Sequence, residues 1–267
     1  MSERRLAWLL ITVSLIVFPI SCSRGSTQSE IIVAGSTSVQ PFADRWAEAF
    51  VKGRPGCFVN VQGGGSSAGI QAAKSGAADI GTSSRELKAD EKDLKEIVVA
   101  RDGLAIIVHP ANPLRGLRLT EVKQVFTGEI PSWKYLGGPD EAITVVTREE
   151  GSGTRGAFQE LVMAKSRISR RAIVEDSNGT VREIVAGDPN AVGYISLGLV
   201  DDRVRALELD GVKASEGSIL EGRYRLVRPF LFVTNGELRG MARDFVDFVL
   251  SPEGQDMIRK EGLLAAR

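Results

Sequence analysis

The sequence has few of the residues that usually build metal, redox or nucleic-acid sites. It contains two cysteines, one histidine and 6% aromatic residues, and its formal net charge is zero. So few cysteine and histidine side chains allow no zinc-binding spacing. The low aromatic content argues against a stacking surface for nucleic acid, and the lack of a basic excess argues against a polyanion surface. We therefore expect no metal, no cofactor and no nucleic-acid partner, whereas a small anion needs only one local cluster of donors.

The N-terminus has the pattern of an export signal. Arg4 and Arg5 precede an apolar run, residues 6–18, that is too short for a comfortable membrane span. Small residues and Cys22 follow, in an arrangement that resembles a bacterial lipoprotein signal. We predict a signal peptide over residues 1–22, a lipid on Cys22 and a polar tether over 23–29, and hence an extracytoplasmic, membrane-anchored protein. An ordinary secretory signal and an uncleaved anchor are the alternatives.

The rest of the chain alternates short β-branched runs with helical patterns, which is typical of α/β architecture. Cys57 begins one predicted strand and is expected to be a small buried hydrophobe. Thr120 is the predicted N-cap of a helix that reaches Thr127. Pro229 lies in an extended stretch and indicates an edge or hinge position, because proline cannot donate to a strand ladder.

Three loops rich in serine, threonine and glycine each follow a predicted strand and precede a predicted helix. They are Gly35-Ser36-Thr37-Ser38, Gly65-Ser66-Ser67 and Gly151-Ser152-Gly153-Thr154. The first N–H groups of a helix lack internal partners and carry partial positive charge, so they attract anions. Arg148, just before the third loop, can add a charge-assisted contact. The pattern indicates an oxyanion site, although a single loop of this kind is more often only a helix cap.

At these loops the chain resembles the phosphate-binding subunits of bacterial phosphate ABC importers, in their short lipoprotein form. The matching stretches are Ala34 to Pro41, Gly63 to Ile70, Asp79 to Arg85, Val125 to Gly128 with Trp133, Arg148 to Thr154, Val192 to Ile195, Arg228 to Phe230 and Phe248 to Gly254. The resemblance implies a type II periplasmic-binding-protein fold, which is α/β and two-lobed, with a hinge of two crossings. We expect lobe 1 to comprise residues 30–107 and 228–267, and lobe 2 residues 108–227.

The resemblance also implies which residues contact phosphate between the lobes. They are Thr37, Ser38, Ser66, Arg148, Ser152, Gly153 and Thr154. Ser84 is also predicted to contact phosphate. It stands, followed by Arg85, in place of the family's usual aspartate, which accepts the proton of phosphate and repels sulfate. Glu149 or Glu150 is a candidate for the missing acceptor, although a solvated charge pair is the alternative. Asp79 is expected to stabilise its loop.

The predicted function is capture of inorganic phosphate and delivery to the permease and ATPase of an ABC importer, by a monomer that performs no catalysis. Another oxyanion (sulfate, molybdate or arsenate) and a phosphate sensor are the alternatives. An exported phosphatase or hydrolase using Ser152 or Ser66 is disfavoured, because a catalytic triad would require His109 as its base. His109 ends a predicted strand beside a proline-rich crossing, so we expect a hinge or surface role.

Overall fold

The computed structural model describes residues 29–266, and strands and helices alternate along this part of the chain. The strands are β1 (Ser29–Gly35), β2 (Cys57–Gln62), β3 (Ile80–Ser83), β4 (Lys95–Val108), β5 (Gly116–Leu117), β6 (Thr144–Arg148), β7 (Ile173–Glu175), β8 (Ala191–Ser196), β9 (Arg205–Ala206), β10 (Glu208–Leu209), β11 (Val227–Thr234) and β12 (Leu264–Ala265). The helices are α1 (Gln40–Val51), α2 (Ser66–Ser75), α3 (Leu119–Thr127), α4 (Gly153–Phe158), α5 (Asn178–Gly187), α6 (Glu216–Leu220), α7 (Gly240–Leu250) and α8 (Pro252–Arg259). The α/β prediction is confirmed.

The main sheet has the order β2-β1-β3-β11-β4-β8-β6-β7, and β4 joins its two halves. Residues 95–103 of β4 pair with β11, and residues 104–108 pair with β8. The pairing partner therefore changes between Gly103 and Leu104. The lobe boundaries at 107/108 and 227/228 stay a prediction.

Each half of the sheet carries its own apolar core. In the first core, Trp46 and Phe50 of α1 lie edge-on against Phe232 and Phe245 respectively. In the second core, the ring of Phe158 stacks on Tyr194 at 4.0 Å between centroids. The helical spacing of Phe42, Trp46 and Phe50 places all three on the buried face of α1.

Three local predictions need correction. The N-cap of α3 is Arg118 and not Thr120, because Glu121 accepts the backbone N–H of Arg118 at 2.8 Å. Cys57 is only half-buried at the start of β2.

The third correction concerns Pro229: the edge alternative is wrong, because β11 lies between β3 and β4, whereas the hinge alternative stays a prediction. Strand β11 pairs with β3 only over Leu231–Val233, so Pro229 faces a neighbour on the β4 side alone. The missing N–H of Pro229 therefore costs no bond to β3.

The predicted signal peptide (1–22), its Cys22 and nearly all of the tether (23–29) lie outside the described residues. Between residues 29 and 266, no helix combines the length and the apolar character that crossing a bilayer requires.

Candidate functional site

The predicted loops meet between the two halves of the sheet, in a region that we call the cleft. The Ser38 and Thr154 hydroxyl oxygens lie 2.7 Å apart, although the residues are 116 positions apart in sequence. Nη2 of Arg148 donates to Thr37 Oγ1 at 3.1 Å. Ser38, Thr154 and Arg148 are all buried. The structure therefore brings residues of the first and third loops into direct contact.

Arg148 is held from several sides, yet part of its guanidinium is left unpaired. Nε donates to the carbonyl of Glu175 at 3.1 Å, and Nη2 donates to the carbonyl of Asp176 at 2.7 Å. The Glu149 carboxylate accepts from Nε and Nη2, each at 3.1 Å. Nη1 is buried and has no hydrogen-bond partner among residues 29–266. Because a buried guanidinium donor without a partner is costly, this nitrogen is suited to an anion.

Tyr194 holds the backbone of Arg148 in place through hydrogen bonds of its phenol oxygen. The phenol oxygen accepts the N–H of Arg148 at 3.3 Å and contacts Thr147 Oγ1 at 2.6 Å. Burial raises the pKa of the Tyr194 phenol, while its hydrogen bond to Thr147 opposes that rise. The tyrosine therefore stays neutral and fixes the start of the Arg148 loop.

Three buried serines form a second group of hydroxyls, on the side of the cleft formed by β1, α2 and β3. Ser36 Oγ donates to Ser84 Oγ at 2.9 Å, and the N–H of Ser84 donates to Ser66 Oγ at 3.0 Å. Ser84 Oγ lies 3.5 Å from Ser66 Oγ. The position where the family usually has aspartate thus holds a hydroxyl that can both donate and accept.

Gly153 closes the cleft against these serines. A Cβ atom at this position would lie 2.1 Å from Ser66 Oγ and 2.6 Å from Ser84 Oγ. Only glycine fits this approach of the α4 backbone to the opposite wall. Gly153 and Thr154 also carry the first N–H groups of α4, which have no partner within the helix. Ser152 caps the helix by accepting the Arg155 N–H at 3.2 Å.

The other two helix N-termini differ from the prediction. The N–H groups of Ser38, Val39 and Gln40 are already bonded to Ser36, through its side-chain or carbonyl oxygen. At the start of α2, the N–H of Ser67 donates to the carbonyl of Gly151 across the cleft at 3.1 Å. The first loop consequently offers hydroxyl groups to the cleft where free backbone N–H groups were expected, and the second loop has its Ser67 N–H bonded.

Three further residues belong to the same network and were not predicted as site residues. Arg228 and Asn178 both donate to Ser38 Oγ, at 3.2 and 2.8 Å. Arg228 is paired with buried Asp102 at 2.8 Å. Burial raises the pKa of the Asp102 carboxyl, and the Arg228 guanidinium opposes that rise. The stretch that begins at Arg228 was noted in the sequence, but the meeting of Arg228 and Asn178 at Ser38 depends on long-range pairing.

Of the candidate acceptors, Glu149 is engaged by Arg148, whereas the side chain of Glu150 is 93% exposed. Asp79 accepts the N–H of Ile32 at 2.8 Å, which confirms its loop-stabilising role.

Arg85 forms an ion pair with Glu91 at 2.7 Å and lines a separate surface cleft. Nδ1 of His109 accepts the N–H of Ala111 at 3.0 Å, within the turn that follows β4. In the described part of the chain, no three His, Cys, Asp or Glu side chains are grouped to hold a metal ion.

Comparison with known proteins identifies the family. Residues 23–253 match the model of a PBP superfamily domain. A phosphate-binding protein PstS of Bacillus subtilis is 37% identical over 85% of this chain and 77% of its own length. The chain belongs to the PstS family of the PBP superfamily.

Solved structures agree with this membership. One is a phosphate ABC transporter substrate-binding protein of Clostridium perfringens with bound phosphate, which is 43% identical. It superposes with a TM-score of 0.87, over 90% of this chain and all of its own. An ABC-type phosphate transport receptor of Vibrio cholerae is 36% identical with a TM-score of 0.75, over 89% of this chain and all of its own. These relatives are binding proteins and not enzymes, and their likeness confirms the type II periplasmic-binding-protein fold.

Proposed function

We propose that this protein captures inorganic phosphate in the cleft and delivers it to the permease and ATPase of an ABC importer. The observation that carries the proposal is the buried guanidinium of Arg148, whose Nη1 has no partner among residues 29–266. Hydroxyl groups from both sides surround this part of the cleft. A tetrahedral anion needs several convergent donors and one strong positive charge, and this group of residues supplies both.

We assign contacts to phosphate by the chemistry that each residue offers. Arg148 supplies the charge, and Gly153 and Thr154 supply N–H groups at the start of α4. Thr37, Ser66, Ser84 and Thr154 supply hydroxyls, and Ser38 acts through Thr154, whose hydroxyl oxygen lies 2.7 Å from its own. Ser152 caps the helix and shapes the loop. Ser84 and Ser66 can accept as well as donate, so the protonated oxygen of hydrogen phosphate would lie at their end of the cleft.

Binding requires both sides of the cleft, so we propose that it accompanies a hinge closure of the lobes. No covalent step and no cofactor take part. The protein would act as a monomer, held outside the cytoplasm by a lipid on Cys22.

Calorimetry on the chain from Ser23 onward tests this proposal. Phosphate should give saturable heat, and Arg148→Met should weaken binding about 10- to 150-fold, because a hydrogen bond to a charged group contributes about 1.5–3 kcal/mol. Arg243→Met is the control, since Arg243 lies on the exposed surface of α7 with a side chain that is 71% accessible. If the Arg148→Met variant bound phosphate as tightly as the parent protein, the assignment of Arg148 to the binding site would be wrong.

Ser84 favours one alternative, a binding protein for another oxyanion. A serine hydroxyl cannot repel a fully ionised anion by charge, as the family's aspartate does. Titrations with sulfate, arsenate and molybdate therefore accompany the phosphate titration. Heat with sulfate or molybdate and none with phosphate would replace the proposed ligand, and turnover of a chromogenic phosphoester would indicate a phosphatase instead.

A further inference from the structure

A buried ion pair lies beside the cleft, where β4 and β11 run side by side. Arg228 and Asp102 are directly opposite each other in the ladder, and both are almost completely buried. Arg228 donates from Nε and Nη2 to the same carboxylate oxygen, at 2.9 and 2.8 Å, and Ser196 Oγ donates to the other oxygen at 2.8 Å. Apolar residues often replace such pairs without loss of stability, so stability alone is a weak reason for this one.

The Arg228–Asp102 ion pair is linked to the cleft by one hydroxyl group, that of Ser38. Nη2 of Arg228 also donates to Ser38 Oγ at 3.2 Å, and Nδ2 of Asn178 donates to the same oxygen at 2.8 Å. The orientation of the Asn178 amide follows from its second contact, because its Oδ1 accepts the N–H of Ser196 at 3.3 Å. Both lone pairs of Ser38 Oγ are thereby occupied by groups that can only donate.

This arrangement fixes the direction of the next hydrogen bond. Since Ser38 Oγ accepts twice, its own hydrogen must point to its remaining neighbour, Thr154 Oγ1, at 2.7 Å. The Thr154 hydroxyl then accepts from Ser38, and its own hydrogen is available to a bound anion. Without Arg228 and Asn178, the Ser38–Thr154 bond could run in either direction, and one of the two directions would turn a lone pair of Thr154 toward the anion.

We infer that Arg228, oriented by Asp102, is a positioning residue that makes Thr154 a hydrogen-bond donor toward the bound anion. The inference rests on phosphate capture in this cleft. It divides the site into two chemically different ends. The Ser38–Thr154 end donates, which suits ionised oxygens, whereas the Ser66–Ser84 end can also accept, which suits a protonated oxygen.

A double-mutant cycle tests the inference, with the phosphate dissociation constant as the readout. The first change replaces both charges at once, Asp102→Leu with Arg228→Met, which avoids leaving one charge buried and alone. The second is Thr154→Val, which keeps the shape of the side chain but removes its hydroxyl. The charge replacement should weaken phosphate binding at least about tenfold in the parent and less than about twofold in the Thr154→Val background.

Arg205→Met is the matched control, because Arg205 is a partly buried arginine that donates only to carbonyls away from the cleft. It should not change the dissociation constant in either background. If the charge replacement does not fold, Asn178→Leu takes its place in the cycle, since Asn178 orders the same hydroxyl from the other side.

An equal loss of affinity with and without the Thr154 hydroxyl would overturn the inference, because Arg228 would then act directly on the anion or only on the fold. Urea unfolding of every variant distinguishes these two explanations, because only an effect on the fold would lower the free energy of unfolding. Failure of the parent protein to bind phosphate would instead contradict the proposed function.

Discussion

Replacing Gly153 by alanine should weaken phosphate binding without destabilising the ligand-free protein. The added Cβ would lie 2.1 Å from Ser66 Oγ and 2.9 Å from Ser66 Cβ, so rotation of the serine hydroxyl cannot remove the clash. Non-bonded heavy atoms prefer about 3.5 Å, so the two walls must separate by about 1 Å at this contact. Overpacking of this kind costs about 1–3 kcal/mol, which corresponds to about 5- to 150-fold weaker binding. An open cleft avoids the clash altogether.

The assay is phosphate calorimetry beside thermal unfolding of the ligand-free protein. Gly151→Ala is the matched control from the same loop, because a Cβ there meets no atom within 4 Å. Unchanged phosphate affinity in Gly153→Ala would refute the close approach of α4 to Ser66 in the bound state. A large fall in the ligand-free melting temperature would refute the hinge argument, since it would mean that the contact belongs to the fold itself.

Three further predictions concern selectivity, pH and the core. Ser84→Asp should raise the preference for phosphate over sulfate in competition titrations, because an acceptor-only carboxylate penalises an unprotonated anion; an unchanged ratio would show that Ser84 does not face the ligand. The hydrogen bond from Arg85 lowers the pKa of Glu91 below 4.5. The stabilisation from Glu91 should therefore be complete well above pH 4.5 and be lost as the pH falls below it. Urea unfolding should show Glu91→Gln less stable than the parent at pH 7 and the two converging as the pH falls below 4.5, and a constant difference would contradict the linkage. Phe126→Ala should cost about 3–5 kcal/mol in urea unfolding, because the ring is fully buried against Phe158 at 4.6 Å. A cost below about 1 kcal/mol would mean that the second core repacks.

The parts of this fold that depend on local sequence could be predicted. The face of α1 follows from residue spacing, and the Ser251 cap of α8 follows from the serine and proline at its start. The loops of the cleft were found for the same reason, since each is a continuous stretch between a strand and a helix. Arg148 was found because it is adjacent to one of these loops.

Features that depend on distant pairing could not be predicted. Arg228 and Asp102 meet because they share a register position, although 126 residues separate them. In the sequence, the run from Leu104 to His109 predicts a strand, whereas β4 begins at Lys95, where exposed charged residues hide the periodicity. The bonded N–H groups at the start of α1 were missed because the Ser36 side chain turns back onto its own loop.

The shared strand β4 has a consequence for how the protein unfolds. Its residues 95–103 pair with β11 in one half of the sheet, and its residues 104–108 pair with β8 in the other. If one half of the sheet unfolds, the other half loses the backbone hydrogen bonds that its part of β4 depends on. Neither half of the sheet is therefore complete without the other. The hinge closure proposed above would leave this strand paired in both halves, so we expect the two halves to unfold as a single cooperative unit.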